Sequence, residues 1–228
     1  MTFPGHLRAL AERAISSIRS DEAEDIYVLS FLMDNERGDP RQPTLAIGYN
    51  TRTQLRRATA DASDAAEARW NHAFWLQNEL TVIGDLTRDP DGAAARRQWI
   101  SELGLWYDEP TCPEEWMTIV GPTAALIGAQ FHRACVHLAR DLHDDGVIEG
   151  AMGRPVPVVL HEPEYYEGTA RRTAAANPPG LSDDFTAWVH RRVRRPRRQT
   201  RDDRPAPSTG AGRSPPCPGP TDGGGRGP

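Results

Sequence analysis

Apolar residues at the spacing of packed secondary structure run from Leu7 to Val189 and then stop. Residues 191–228 hold ten Arg, eight Pro and seven Gly, with Val193 and Cys217 as the only sizeable apolar side chains. Such a segment cannot bury enough apolar surface to offset its ordering entropy, so its composition predicts a disordered tail. Residues 1–190 remain as one acidic globular domain, long enough to bury roughly 70% of its unfolded surface without staples. The Arg, Pro and Gly bias is also what a GC-rich gene yields out of frame, so one reading of the tail is a frameshift product.

The net charge of −5 hides an asymmetry: residues 1–190 carry 17 Arg against 29 Asp and Glu, a balance of −12, and the tail carries 10 Arg against 3 Asp, a balance of +7. An acidic domain repels nucleic acid and anionic membranes and suits a basic protein partner. The Arg-rich start of the tail, from Arg191 to Arg198, would attract nucleic acid without sequence preference, since it has no aromatic side chain on which a base could stack. The chain has 27 Lys plus Arg and every one is Arg, which excludes Schiff-base chemistry and a P-loop lysine. Three cysteines, odd in number and without paired spacing, argue against a disulfide framework. The N-terminus has no basic start followed by an apolar run, and no apolar stretch approaches the roughly 20 residues of a membrane-spanning helix. A cytoplasmic location and no membrane partner are therefore expected. Nothing in the pattern specifies an oligomeric state.

Leu7, Leu10, Ala11, Ala14, Ile15 and Ile18 predict an amphipathic first helix ending near Ser20. Ile26–Met33 and Thr44–Tyr49 read as two strands joined as a hairpin by a long turn-forming loop. Ser63 can cap a helix through Trp70 and Phe74 toward Leu80, although the alternation from Phe74 to Val82 equally fits a strand. Asp89-Pro90-Asp91 opens a further helix that Gly104 stops. The longest helix is expected after Gly121-Pro122-Thr123, with Ile127, Phe131, Ala134, Cys135, Leu138 and Leu142 as its core stripe. A loop over Gly146–Pro155, a third strand at Val156–Leu160, a helix over Tyr165–Ala176 and a final helix opened by Ser182-Asp183-Asp184 complete the pattern. Few strands among many helices, not in strict alternation, define an α+β fold: a small antiparallel or mixed sheet of three or more strands packed with several helices, one of them long and central.

Three segments carry candidate chemistry. The helix bearing His132, Cys135, His137, Asp141 and His143 invites a metal, but His132 and His143 lie three turns apart, roughly 16 Å, too far to share one ion. No metal site and no cofactor is assigned. His161-Glu162-Pro163-Glu164 follows a strand; His161 and Glu162 could form an acid–base pair, or Glu162 and Glu164 could hold a cation, against the plainer reading of carboxylates favouring the next helix N-terminus. That trio is the candidate site of a small hydrolase. Trp106, Tyr107, Asp108, Glu109, Glu114, Glu115 and Trp116 form a proline-containing loop in which acids and aromatics interleave. Aromatic rings give contact area at low entropy cost and acids give charge complementarity, so this loop is the candidate partner-binding surface. The plainer reading makes Trp106 and Trp116 buried anchors. Cys112 has no basic neighbour and lacks the setting of a reactive thiolate.

The runs IYVLSF at 26–31, PTLAIGYNT at 43–51, AAEARWN at 65–71 with Phe74-Trp75, His161-Glu162 with Tyr165-Tyr166, and Ala176-Asn177-Pro178 together resemble an uncharacterised bacterial domain-of-unknown-function family. The resemblance covers residues 5–189. It transfers no catalytic residue. By class analogy with small acidic α+β proteins it implies an immunity-like protein that neutralises a toxin by binding it.

Overall fold

The computed structural model describes residues 1–110, 112 and 115–194; the tail beyond Arg194, with Thr111, Pro113 and Glu114, lies outside the described residues. The fold is α+β, with nine helices and one four-stranded mixed sheet among the described residues. Strand β1 (Ile26–Asn35) is flanked by antiparallel β2 (Pro43–Thr51) and parallel β4 (Val158–His161), and β3 (Thr81–Ile83) extends the sheet beyond β2. The period of two in β1 sends Leu29, Phe31 and Met33 to one face and Val28, Ser30 and Leu32 to the other. On the first face they meet Leu45 and Ile47 of β2 and Val158 and Leu160 of β4. Helix α1 (Phe3–Ser16) and the long helix cover that face with Leu7, Ile15, Phe131, Cys135 and Leu142. A second core of Trp70, Val159, Phe185, Trp188 and Val189 covers part of the opposite face. It comes mainly from α4 (Ala65–Trp70) and the last helix, α9 (Asp183–Arg194).

The long helix carries the anticipated stripe, with Ile127, Phe131, Cys135, Leu138 and Leu142 buried. It starts earlier than Gly121-Pro122 suggests. A π-helical turn over Trp116–Val120 runs directly into Gly121–Asp144, so the continuous helix α6 spans 29 residues, Trp116–Asp144. Proline lacks the N–H of an α-helical bond and crowds the carbonyl four residues back; the wider turn just before Pro122, where the Gly121 N–H bonds the Trp116 carbonyl, relieves both. Trp116 is therefore helical, where the sequence placed it in a loop.

Three further expectations change. The first helix ends at Ser16, and the acidic stretch after it forms a one-turn helix, α2 (Ser20–Ala23). Helix α4 ends at Trp70 because Asn71 turns extended and its side chain accepts from the Ala73 N–H, opening a 3-10 turn. Residues 75–80 then form an irregular segment, with Gln77 in the left-handed region (φ 52), that leads into β3. They press so close that a Cβ on Gly48 would lie 2.4 Å from the Asn78 carbonyl oxygen, and the Asn78 side chain accepts from the Tyr49 N–H at 2.9 Å. Between Gly146 and Gly153, both in the left-handed conformation, the anticipated loop contains helix α7 (Val147–Met152), with Ile148 and Met152 buried one turn apart. Cys135 is a free thiol in the core.

Helix α3 (Arg52–Ala58) follows β2 directly, and α5 (Pro90–Glu102) opens on Asp89 and Pro90 as expected. Helix α8 (Glu167–Ala176) lies against the outer edge of β4 and supplies that strand's missing neighbour from side chains. Thr173 Oγ1 accepts from the Leu160 N–H at 3.1 Å. Asn177 accepts from the Val158 N–H at 2.8 Å and donates to the Val158 carbonyl at 2.7 Å. An edge strand buried in this way would otherwise leave backbone groups unpaired. Asn177→Ala strands both polar groups of Val158, and we expect a loss of about 3 kcal/mol of stability in urea unfolding, with Asn177→Asp losing less because one acceptor remains.

Candidate functional site

The loop 105–110 leaves α5 at Gly104 (φ +69) and lies along the β1–β2 turn. Arg41 holds it there. The guanidinium donates to the Tyr107 carbonyl at 3.2 Å, to the Glu109 carboxylate at 2.8 Å and to Asp39 at 2.9 Å. It also sits 5.0 Å from the Tyr107 ring centre and 5.8 Å from that of Trp106, while Arg97 lies 4.6 Å from Trp106 on its own account. The hydrogen bonds that Arg41 donates to Asp39, and then those to Glu109, raise its pKa despite burial, and burial raises the Tyr107 hydroxyl.

This arrangement divides the candidate loop. Trp106 and Tyr107 are half-buried anchors on Arg41, and Glu109 is exposed but already paired with Arg41. Asp108 is exposed and Glu115 half-buried; Glu114 lies outside the described residues. Trp116 parts company with Trp106. It is 52% exposed, and it begins a run that includes Met117 at 77%, Ile119 at 49% and Leu126 at 52%. Four large apolar side chains in solvent within the first three turns of one helix are far from the singly scattered apolar residues of an ordinary surface. The sequence signal for them was present in the apolar run WMTIV at 116–120, but the expected loop obscured it.

The second candidate, His161 with Glu162 and Glu164, does not converge. His161 is the last residue of β4, so it and Glu162 leave the strand on opposite faces of the sheet. His161 points to the face of Ser30 and is 1% exposed. Its Nδ1 lies 3.3 Å from the Glu162 carbonyl, which makes Nδ1 the protonated nitrogen, and Nε2 accepts from the Ser30 hydroxyl at 2.8 Å. Burial, reinforced by neighbouring His72, pushes the His161 pKa down to about 3. Glu162 turns instead to the long helix. Burial alone would raise its carboxyl, but hydrogen bonds from His132 and Tyr166 and the charge of Arg172 outweigh burial and hold it down to about 2. Glu164 is exposed.

Ser30 and His161 make a serine–histidine pair that sequence reading had no means of finding, since 131 residues separate them. As a hydrolytic dyad the pair is poorly equipped. A serine nucleophile needs a base that carries the proton through the transition state, stabilised as imidazolium by a carboxylate. Here Nδ1 meets a backbone carbonyl and the ring is buried neutral. The depression beside it, between Trp75, Asn78 and His161, has room for about 50 Å³, the scale of one or two waters rather than a substrate.

The histidines of α6 are dispersed: His132 bonds Glu162 at 3.3 Å and His143 bonds Asn177 at 3.1 Å, while His137 is exposed. Among the described residues no group of three or more His, Cys, Asp or Glu is placed to hold a metal ion, and no helix is long and apolar enough to cross a membrane. No family model, no curated protein and no solved structure matches the chain.

His161 sets a pH dependence. Its folded pKa, about 3, lies below the ordinary 6.5, so between those values the unfolded chain binds a proton that the folded chain refuses. Stability then rises with pH across that window and is lost on acidification. Glu162 adds a contribution that is present above its ordinary 4.5 and lost as pH falls toward 2. We expect His161→Gln to flatten the dependence of unfolding free energy on pH between 5 and 6.5 by up to about 1.4 kcal/mol per unit, measured by urea titration at each pH; an unchanged slope would show that His161 is charged in the fold.

Proposed function

We propose that the protein acts by binding another protein through the surface that runs from loop 105–110 onto the first turns of α6. The observation that carries this reading is the exposure of Trp116, Met117, Ile119 and Leu126, with Asp108 also exposed in loop 105–110. Interfaces concentrate their energy in a few aromatic and apolar anchors, and charges at the rim govern steering and partner choice. Exposed apolar anchors on a domain of balance −12 over residues 1–190 suit a partner that offers apolar surface together with basic side chains. An immunity-like protein covering a toxin in the cytoplasm is the specific form of this reading.

The test uses the full chain as bait beside the Trp116→Ser/Met117→Ser variant. These side chains are solvent-exposed, so the variant should fold as the parent does. A basic protein recovered by the parent and bound at least about thirtyfold more weakly by the variant, as loss of a hot spot implies, is the expected result, with association slowed further by added salt. Equal affinity for parent and variant would overturn the reading.

A further inference from the structure

A groove of about 590 Å³ lies where α1, α5 and α6 meet, on a part of the molecule separate from the exposed turns of Trp116 and Ile119. Trp99 of α5 and Leu138 of α6 line it with apolar surface, and Leu138 is only 4% exposed. Along α6, Gln130, Arg133 and His137 follow at three- and four-residue spacing, which sets them side by side on the groove wall. Among the described residues none of these three side chains has a hydrogen-bond or ion-pair partner. Arg8, on the other side, is committed to Glu12 at 2.7 Å and Asp145 at 2.6 Å, and its remaining contact, to Asp141 at 3.8 Å, offsets the one carboxylate of the lining. The groove thus offers an uncommitted guanidinium, an imidazole and an amide around an apolar floor, in a domain whose overall charge repels anions.

We infer that this groove binds a small organic anion with a flat apolar body, such as an aryl carboxylate or sulfonate. Arg133 would take two oxygens of the acid group through its fork, as guanidinium groups do. Gln130 and His137 stand within one helical turn to donate to the same group, and the apolar body would lie against Trp99 and Leu138. The volume falls within the few hundred to about 1,000 Å³ typical of small-molecule sites. Charge selects this class over a cation, since the only carboxylate on the wall, Asp141, already faces Arg8.

The experiment titrates the full chain with 8-anilinonaphthalene-1-sulfonate and follows the probe's fluorescence, with the neutral N-phenyl-1-naphthylamine in parallel. The expected outcome is one saturable site for the anion, weakened about tenfold or more by Arg133→Glu, as removal of a hydrogen bond to a charged group implies, and unaffected by Trp116→Ser/Met117→Ser. The neutral probe should bind more weakly and be indifferent to Arg133→Glu. Binding that survives Arg133→Glu but disappears in the Trp116 variant would place the probe on the exposed turns of α6 and overturn the groove as its site. So would equal affinity for the neutral probe, or no saturable binding. Because the partner-binding reading depends on Trp116 and the groove on Arg133, each can fail without the other.

Discussion

Two side chains, Thr173 and Asn177, complete the hydrogen bonding of a strand that has a backbone neighbour on one side only. All four residues of β4 are buried, and an uncapped amide or carbonyl there would cost the full desolvation of the group. The two side chains also deny that edge to any further strand. They fix register as well. A slip of one residue would exchange the faces of every β4 side chain, sending His161 toward the long helix and Glu162 toward Ser30. The separation of those two titratable groups, and with it the chemistry available at the strand end, follows from how α8 grips the edge.

Adjacent residues with opposite fates illustrate how environment outranks residue type. His161 has aromatic neighbours in His72, Trp75 and Tyr165, so burial removes its charge. Glu162, one residue on, meets the guanidinium of Arg172, the hydroxyl of Tyr166 and the imidazole of His132, and it keeps its charge despite burial. The result is a polar tie among β4, α6 and α8. Such a network holds elements in place, and it leaves neither residue free to exchange protons with a substrate. The local sequence HEPEYYEG at 161–168 looks reactive for the same reason that it is structural: a buried junction needs polar groups that can satisfy one another.

What was legible in the sequence was local. The strand alternation at 26–33, the stripe from Ile127 to Leu142, the Asp89-Pro90 start of α5 and the Gly104 stop each follow from a period or a cap within a few residues. What was hidden depends on partners distant in sequence. Trp106 and Trp116 look alike in the chain, yet Arg41 and Arg97 reach only Trp106. The Ser30–His161 bond requires the parallel pairing of β1 with β4, which no hairpin announces. Helix α7 is too short to show a period, and Gly146 and Gly153, read as loop signals, are its two ends. The start of α6 was obscured by a rule that holds for α-helical geometry alone: Pro122 ends an α-turn but accepts a π-turn.

That π-turn has a consequence for the surface. By extending α6 back to Trp116, it puts apolar side chains on a rigid helix where a loop would have let them fold inward. Exposure of this kind invites self-association unless something opposes it. Two copies meeting through these turns would bring together domains of balance −12 over residues 1–190, with Asp108 exposed in the adjoining loop. The acidic balance therefore acts against a second copy, and under the proposed binding reading the same charges would favour a basic protein. Arg41 sharpens that bias, since by engaging Asp39 and Glu109 it fixes the loop's conformation before any partner arrives. A loop held in place loses less freedom on binding than a mobile one, so more of the contact energy from the helix turns is retained as affinity.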